Sequence, residues 1–196
     1  MSVKEPCAKG TLVKGVVAEV KARLESGDLS HADLDRLLKP EDRELLTQDV
    51  LISNWYPIEC YARLCECLVV GSRLGRREAL LEAGRRSAQR VVAMGLYSQV
   101  DSRTEGRWED RVGRVLVSLY PVMFNFSKWE WQAGKGPDLT SFAIVVKEAG
   151  PMPETVRLRT QGFVEYLTAR AAGRSVTVTF EEPDRDTLVF RGVLSR

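Results

Sequence analysis

"NFSKWEWQ" (residues 125–132) is where the periodicity of the chain changes. Upstream of it, apolar residues recur every three to four positions. Within it, Trp129 and Trp131 fall on one side of a period-two alternation, and Lys128, Glu130 and Gln132 on the other. Successive side chains of a strand point to opposite faces, so the stretch predicts a strand with both tryptophans on one face. A chain that changes period once, about two thirds of the way along, predicts helices first and a sheet afterwards.

Downstream, "AGKGPD" (133–138) supplies a turn and "TSFAIVVKEAG" (140–150) a second strand. "PETVRLRTQGFVEYLTARAAG" (153–173) reads as a helix with Pro153 near its start and Gly173 at its end. "SVTVTFEEPDRDTLVFRGVLS" (175–195) predicts two further strands joined by the turn residues Pro183, Asp184, Arg185 and Asp186. Upstream, residues 10–26 open with β-branched residues and predict a short strand leading into a helix, which Gly27 and Asp28 break. Ser30 caps the next helix with Asp33 three positions on, and Pro40 opens another. Pro57 suits the first position of a helix whose Ile58, Tyr61, Ala62, Cys65, Leu68 and Val69 form an apolar stripe. Two more helical patterns cover 77–100 and 107–124, the second ending near Pro121. Gly84, inside the first of these, predicts close helix packing or a kink.

The expectation is an α+β fold in a single domain over 1–196. It has a flexible leader over 1–10, a mainly helical part over 11–122, and over 123–196 a four-stranded antiparallel sheet crossed by one helix, in the order strand–strand–helix–strand–strand.

Composition narrows the function classes. The chain has 196 residues with 29 basic and 27 acidic side chains, so no general basic excess favours nucleic acid. No apolar run approaches the ~20 residues needed to span a bilayer. The first ten residues lack an apolar core, so no secretory leader is expected. Four cysteines without a disulfide-like spacing point to a reducing cytoplasm.

The motifs then suggest relatives. "KGVVAEVKARL", "PEDRELL…ISNWYPIECYARL", "LLEAGRRSAQR" and "GFVEYLTARAAGRSVTVTF" resemble a myxobacterial paralogous family of similar length without assigned function. Helices first and a four-stranded sheet with an inserted helix after is also similar to the fold superfamily of haem-nitric-oxide-binding sensors, 4-vinyl-reductase ligand-binding domains and TRAPP vesicle-tethering subunits. That resemblance implies ligand sensing or protein assembly, often through dimers.

Three of the four cysteines lie in "CYARLCEC" (60–67). On a helix Cys65 is turned roughly 140° from Cys60, and Cys67 stands roughly 10 Å along the axis from Cys60. Those sulfurs cannot gather about one zinc ion, whose ligands sit at about 2.3 Å, so core packing is expected and no metal. The only histidine, His31, follows Ser30 at a helix start in a polar setting. The haem-binding relatives need an axial histidine and a Tyr-x-Ser-x-Arg motif; the motif does not occur here, and no haem or other cofactor is expected. A single imidazole also leaves no histidine-centred catalytic set, and the chain has no phosphate-binding glycine loop, so no enzyme is expected.

Two candidate surfaces remain. Residues 71–90 hold six arginines against two glutamates, and Arg73, Arg76, Arg77 and Arg86 form a candidate interaction face, as do Trp129 and Trp131 if their face stays uncovered. Trp55, Tyr56, Tyr61 and Trp108 are candidates for a pocket between helices and sheet. The expected role is a non-enzymatic cytoplasmic signalling module acting through a homodimer or protein partner. The alternative is a haem-free sensor of a lipid-like or aromatic ligand.

Overall fold

The computed structural model describes residues 5–95, 107–134 and 140–195. Among these it contains seven helices and two antiparallel sheets. A short strand β1 (Cys7–Lys9) leads into α1 (Gly10–Glu25), α2 (His31–Leu37) and α3 (Pro40–Glu44). Strand β2 (Trp55–Pro57) precedes α4 (Ile58–Glu66) and α5 (Arg76–Ala93). After α6 (Trp108–Met123) come β3 (Lys128–Ala133), β4 (Ser141–Lys147), α7 (Glu154–Ala172), β5 (Val176–Asp184) and β6 (Thr187–Leu194).

The larger sheet has the spatial order β3-β4-β6-β5, with every pair antiparallel. Its inner face carries Trp129, Phe142, Ile144, Val146, Leu188 and Phe190, all buried. Helix α6 packs over β3 and α7 over β5. The outer face carries exposed ion pairs, Glu130 with Lys147 at 2.8 Å and Glu181 with Arg191 at 2.5 Å. This alternation is the one the sequence shows, because a sheet with helices on one side needs apolar residues on that side only.

Several local expectations agree with the structure. Ser30 Oγ accepts from the Asp33 backbone N–H at 3.1 Å, while the Asp33 carboxylate accepts from the Ser30 N–H, closing a capping box. Pro40 opens α3. Gly173 ends α7 in the left-handed region at φ 64°, where a side chain would be strained. The β5–β6 hairpin turns at Arg185 and Asp186, with Asp184 Oδ1 accepting from the Asp186 N–H at 2.8 Å.

Other expectations are corrected. The chain has a second sheet, in which Cys7, Ala8 and Lys9 pair with Pro57, Tyr56 and Trp55, so part of the expected leader is a strand. The strand sits at 7–9 and not after residue 10; α1 begins at Gly10, because the β-branched Val13, Val16, Val17 and Val20 occupy a buried helical stripe. Pro57 closes β2 and caps α4 without entering it. Helix α6, by contrast, ends as expected near Pro121, at Met123, since a proline in the last turn removes only one backbone hydrogen bond. The turn expected at 133–138 and the end of the 77–100 helix fall largely outside the described residues.

Helices α5 and α7 make the tightest contact in the helical part. A Cβ placed on Gly84 would lie 2.0 Å from the Arg159 carbonyl oxygen, and one on Gly162 would lie 2.0 Å from that of Leu81. Both glycines let backbone meet backbone, so close packing and not a kink is the role of Gly84.

Candidate functional site

A cavity of about 340 Å3 lies among α1, α5, α6 and α7, with Tyr61 of α4 at one end. Leu12, Val91, Leu119, Tyr120, Phe124 and Phe163 make its apolar wall, and Met94 and Met123 add two thioethers. Thr11, Ser87, Arg90, Arg159 and Thr160 supply the polar groups. The α5–α7 contact described above holds Ser87, Arg90 and Val91 opposite Arg159, Thr160 and Phe163. Exposed Thr11, Arg90 and Met94 mark the mouth, and buried Tyr61 and Arg159 the inner end. Space lined mainly by apolar side chains with a few converging polar groups is the usual make-up of a small-molecule site.

The inner end is electrostatically defined. Arg159 donates to Cys65 Sγ at 3.2 Å and to Glu19 Oε1 at 3.3 Å, and its guanidinium lies 5.6 Å from the centre of the Tyr61 ring. Burial pushes the Tyr61 phenol well above its ordinary range, further than Arg159 pulls it down, so it stays neutral. Burial likewise raises the Cys65 thiol, with Arg159 opposing. Burial works against the Arg159 charge, yet its folded-state value is raised, with the Glu19 carboxylate 3.3 Å away as the anion that supports it, and it is a permanent cation.

The sequence-derived candidates distribute as follows. Tyr61 lines this cavity. Trp55 is 38% exposed under Lys9, whose Nζ is 4.5 Å from the ring centre. The Tyr56 hydroxyl accepts from the Leu51 N–H at 3.1 Å. Trp108 packs edge-on against Trp131 and Phe142 at 6.3 and 6.2 Å. These three do not join Tyr61 in the cavity. Trp129 is buried between Tyr120 at 3.7 Å and Phe190 at 5.9 Å, and Trp131 stacks on Phe142 at 4.7 Å. Their face is covered by α6, where Gly113 makes room for the Trp131 indole.

The arginines are mostly engaged within the chain. Arg76 binds Glu66 at 2.6 Å, Glu154 at 2.9 Å and Thr155 Oγ1 at 3.0 Å. Arg77 donates to Gln161 Oε1 at 3.2 Å and faces the Phe180 ring. Arg86 lies 3.8 Å from both Glu19 and Glu82. Arg73 is exposed in the turn before α5. All four cysteines are buried and in no disulfide, and no group of three or more His, Cys, Asp or Glu able to hold a metal ion occurs among the described residues. Burial, then Asp42, drives the Cys60 thiol upward, and burial pushes Cys67 up to about 12.

Sequence reading missed Arg159, the cavity's central charge. Helix α7 buries eleven of its nineteen residues, including Thr155, Arg159, Thr160, Gln161 and Thr168. It looks like a surface helix because so much of its buried side is polar. The one available signal is that Arg159, Thr160 and Gln161 immediately precede the close-packing Gly162.

No protein-family model and no curated protein matches the sequence. Among solved structures the chain is similar to an Fe(II) unliganded H-NOX protein mutant from K. algicida, at 12% identity and TM-score 0.62, covering 96% of this chain and 97% of that one. It is similar to a T. tengcongensis H-NOX mutant at 13% identity and TM-score 0.61, covering 96% and 98%. An oxygen-binding H-NOX domain related to soluble guanylate cyclases matches at 12% identity and TM-score 0.57, covering 96% and 95%. At such identities the likeness is one of fold.

A further matching structure, from a study of heme distortion in the H-NOX family, makes the fit of a haem to this chain a fair test. Haem iron is held by histidine, cysteine thiolate, methionine paired with histidine, or tyrosinate. The only imidazole, His31, is exposed at the start of α2 and does not line the cavity. Tyr61 and Cys65 are kept protonated by burial, and the Met123 sulfur accepts from Thr11 Oγ1 at 3.6 Å. The described residues do not fit a haem.

Proposed function

We propose that the chain is a non-enzymatic, haem-free sensor module that binds a small, largely apolar ligand in the cavity between α1, α5, α6 and α7. The observation that carries this is the cavity itself, walled by carbon and sulfur and holding a few convergent polar groups. An apolar cavity of ~150 Å3 accommodates a benzene ring, and this one is roughly twice that size. A two-ring aromatic or a short acyl chain suits it. The H-NOX fold supports a sensing role by analogy of architecture. A reducing cytoplasm suits four cysteines that form no disulfide. The resemblance to the uncharacterised myxobacterial family is part of the same proposal and rests on its motifs.

Gly15 provides the test. It lines the cavity from α1, and a Cβ there would meet nothing within 4 Å. Gly15→Leu therefore puts a side chain into open space while improving the helix by about 1 kcal/mol. Calorimetric titration with 2-naphthylmethanol should show binding to the wild type and at least tenfold weaker binding to Gly15→Leu, with thermal stability undiminished. Equal binding by both proteins would disprove the cavity as the site.

A protein partner or a second copy remains a second reading. It is favoured by Leu51 and Ile52, each 56% exposed, beside Trp55. Gel filtration of the wild type against a Leu51→Ser, Ile52→Ser double variant would show a loss of association if that loop is the contact.

A further inference from the structure

The lining of the cavity is cationic. Glu19 Oε1 accepts from Arg90 Nη2 at 2.5 Å and from Arg159 Nη2 at 3.3 Å, and its Oε2 lies 3.8 Å from Arg86. Arg86 is also served by Glu82 at 3.8 Å. Glu82 also meets Arg85 at 3.4 Å, outside the cavity. The cavity lining itself holds two guanidiniums, Arg90 and Arg159, and no carboxylate, with Glu19 behind them as their shared partner. Arg159 has five N–H donors, and its other polar contact is a neutral thiol, a weak acceptor. Its side chain is 6% exposed, against 44% for Arg90 at the mouth. A buried cation held this loosely favours any anion that can reach it.

We infer that the ligand is an amphipathic carboxylate, its head between Arg90 and Arg159 and its body among Leu119, Phe124 and Phe163. This deepens the proposed ligand site and rests on it. A planar guanidinium fork suits a carboxylate better than a neutral hydroxyl, and Ser87 and Thr160 stand in the same wall as further hydrogen-bonding groups. The head joins Glu19 on the two arginines without replacing it, because two cations and two anions balance.

The test compares two probes of one shape, 2-naphthoate and 2-naphthylmethanol, by calorimetric titration. Wild-type protein should prefer the acid by about 10–100-fold, the range for a charge-assisted hydrogen bond over a neutral one. In Arg90→Gln the acid-to-alcohol affinity ratio should fall at least fivefold, whereas Arg90→Lys should keep most of it. Glu19→Gln, which frees both arginines, should raise the ratio. Arg90 is exposed enough that Arg90→Gln will fold, and a thermal melt checks this. Equal affinity of the two probes for the wild type, or a ratio unmoved in Arg90→Gln, would overturn the anionic head while leaving the apolar site intact. Binding of neither probe would defeat the ligand-site reading and this inference with it.

Discussion

Replacing Gly84 by alanine tests the packing on which the cavity depends. On an isolated helix the change gains about 0.8–1.0 kcal/mol, because alanine loses less conformational entropy than glycine. In this fold the new methyl would stand 2.0 Å from the Arg159 carbonyl oxygen and 2.9 Å from the Phe163 nitrogen, whereas ordinary contact begins at 3.4 Å. The shortfall is 1.4 Å, and it is against backbone on a second helix, so no rotamer change relieves it. Helices α5 and α7 must move apart, opening the interface that also contains Gly162. Overpacking of a close-packed interior costs about 1–3 kcal/mol, and a rigid obstacle puts the case at the upper end. The net expectation is a loss of about 1–2 kcal/mol, or a fall in Tm of about 2–8 °C for a chain of this size. Urea and thermal unfolding followed by circular dichroism measure it. Gly15→Ala, in α1 with nothing within 4 Å, should gain stability by the helix-propensity amount alone. Gly162→Ala should resemble Gly84→Ala, and the double variant should lose less than the sum, because one separation relieves both clashes. A Gly84→Ala protein as stable as the wild type would refute the direct backbone contact.

Three further outcomes concern an ion pair, the thiols and haem. Burial raises the Asp42 carboxyl, but Arg63, bound to its Oδ2 at 2.5 Å and Oδ1 at 2.9 Å, acts with Cys60 and the Lys39 N–H to keep it below the usual carboxylate range. Its stabilisation is therefore present above about pH 4 and lost as pH falls through its lowered folded-state value. Asp42→Asn should be ~3 kcal/mol less stable than the wild type at pH 7, and urea midpoints should show that gap narrowing below pH 4; a gap independent of pH would contradict the ion pair. The thiols should be unreactive in the folded state, because burial raises Cys60, Cys65 and Cys67 and leaves little thiolate. Iodoacetamide at pH 7.5 followed by mass measurement should label these three only after unfolding, and rapid native labelling would show a looser core. Titration with haemin should give no sharp Soret band at one equivalent; such a band, with a shift on reduction, would mean that an axial ligand had been overlooked.

Local chemistry was legible where one or two residues decide the backbone. Ser30 with Asp33, Pro40, Gly173 and the Asp184–Asp186 turn each satisfy or terminate hydrogen bonding within a few residues, so no tertiary information is needed to see them. The alternation at 128–132 works the same way, since one face of that sheet is covered. The small β1–β2 sheet was not legible, because three-residue strands nearly fifty positions apart are too short to show a period. The arginine-rich stretch misled for a related reason. Its count suggests a free cationic face, but several of its partners, Glu154, Gln161 and Glu165, lie on α7 and are far away in sequence.

The sequence by itself determined that helices precede a one-sided antiparallel sheet, and that one histidine and three helix-borne cysteines make a poor metal site. Tertiary structure alone decided that Gly84 and Gly162 bring α5 and α7 into backbone contact, that a cavity remains beside that contact, and that Glu19 and Arg159 meet there across 140 positions. The physical reason is that period and capping depend on neighbours in the chain. A cavity and its charge depend on which distant surfaces close on one another, and on the space that they fail to fill.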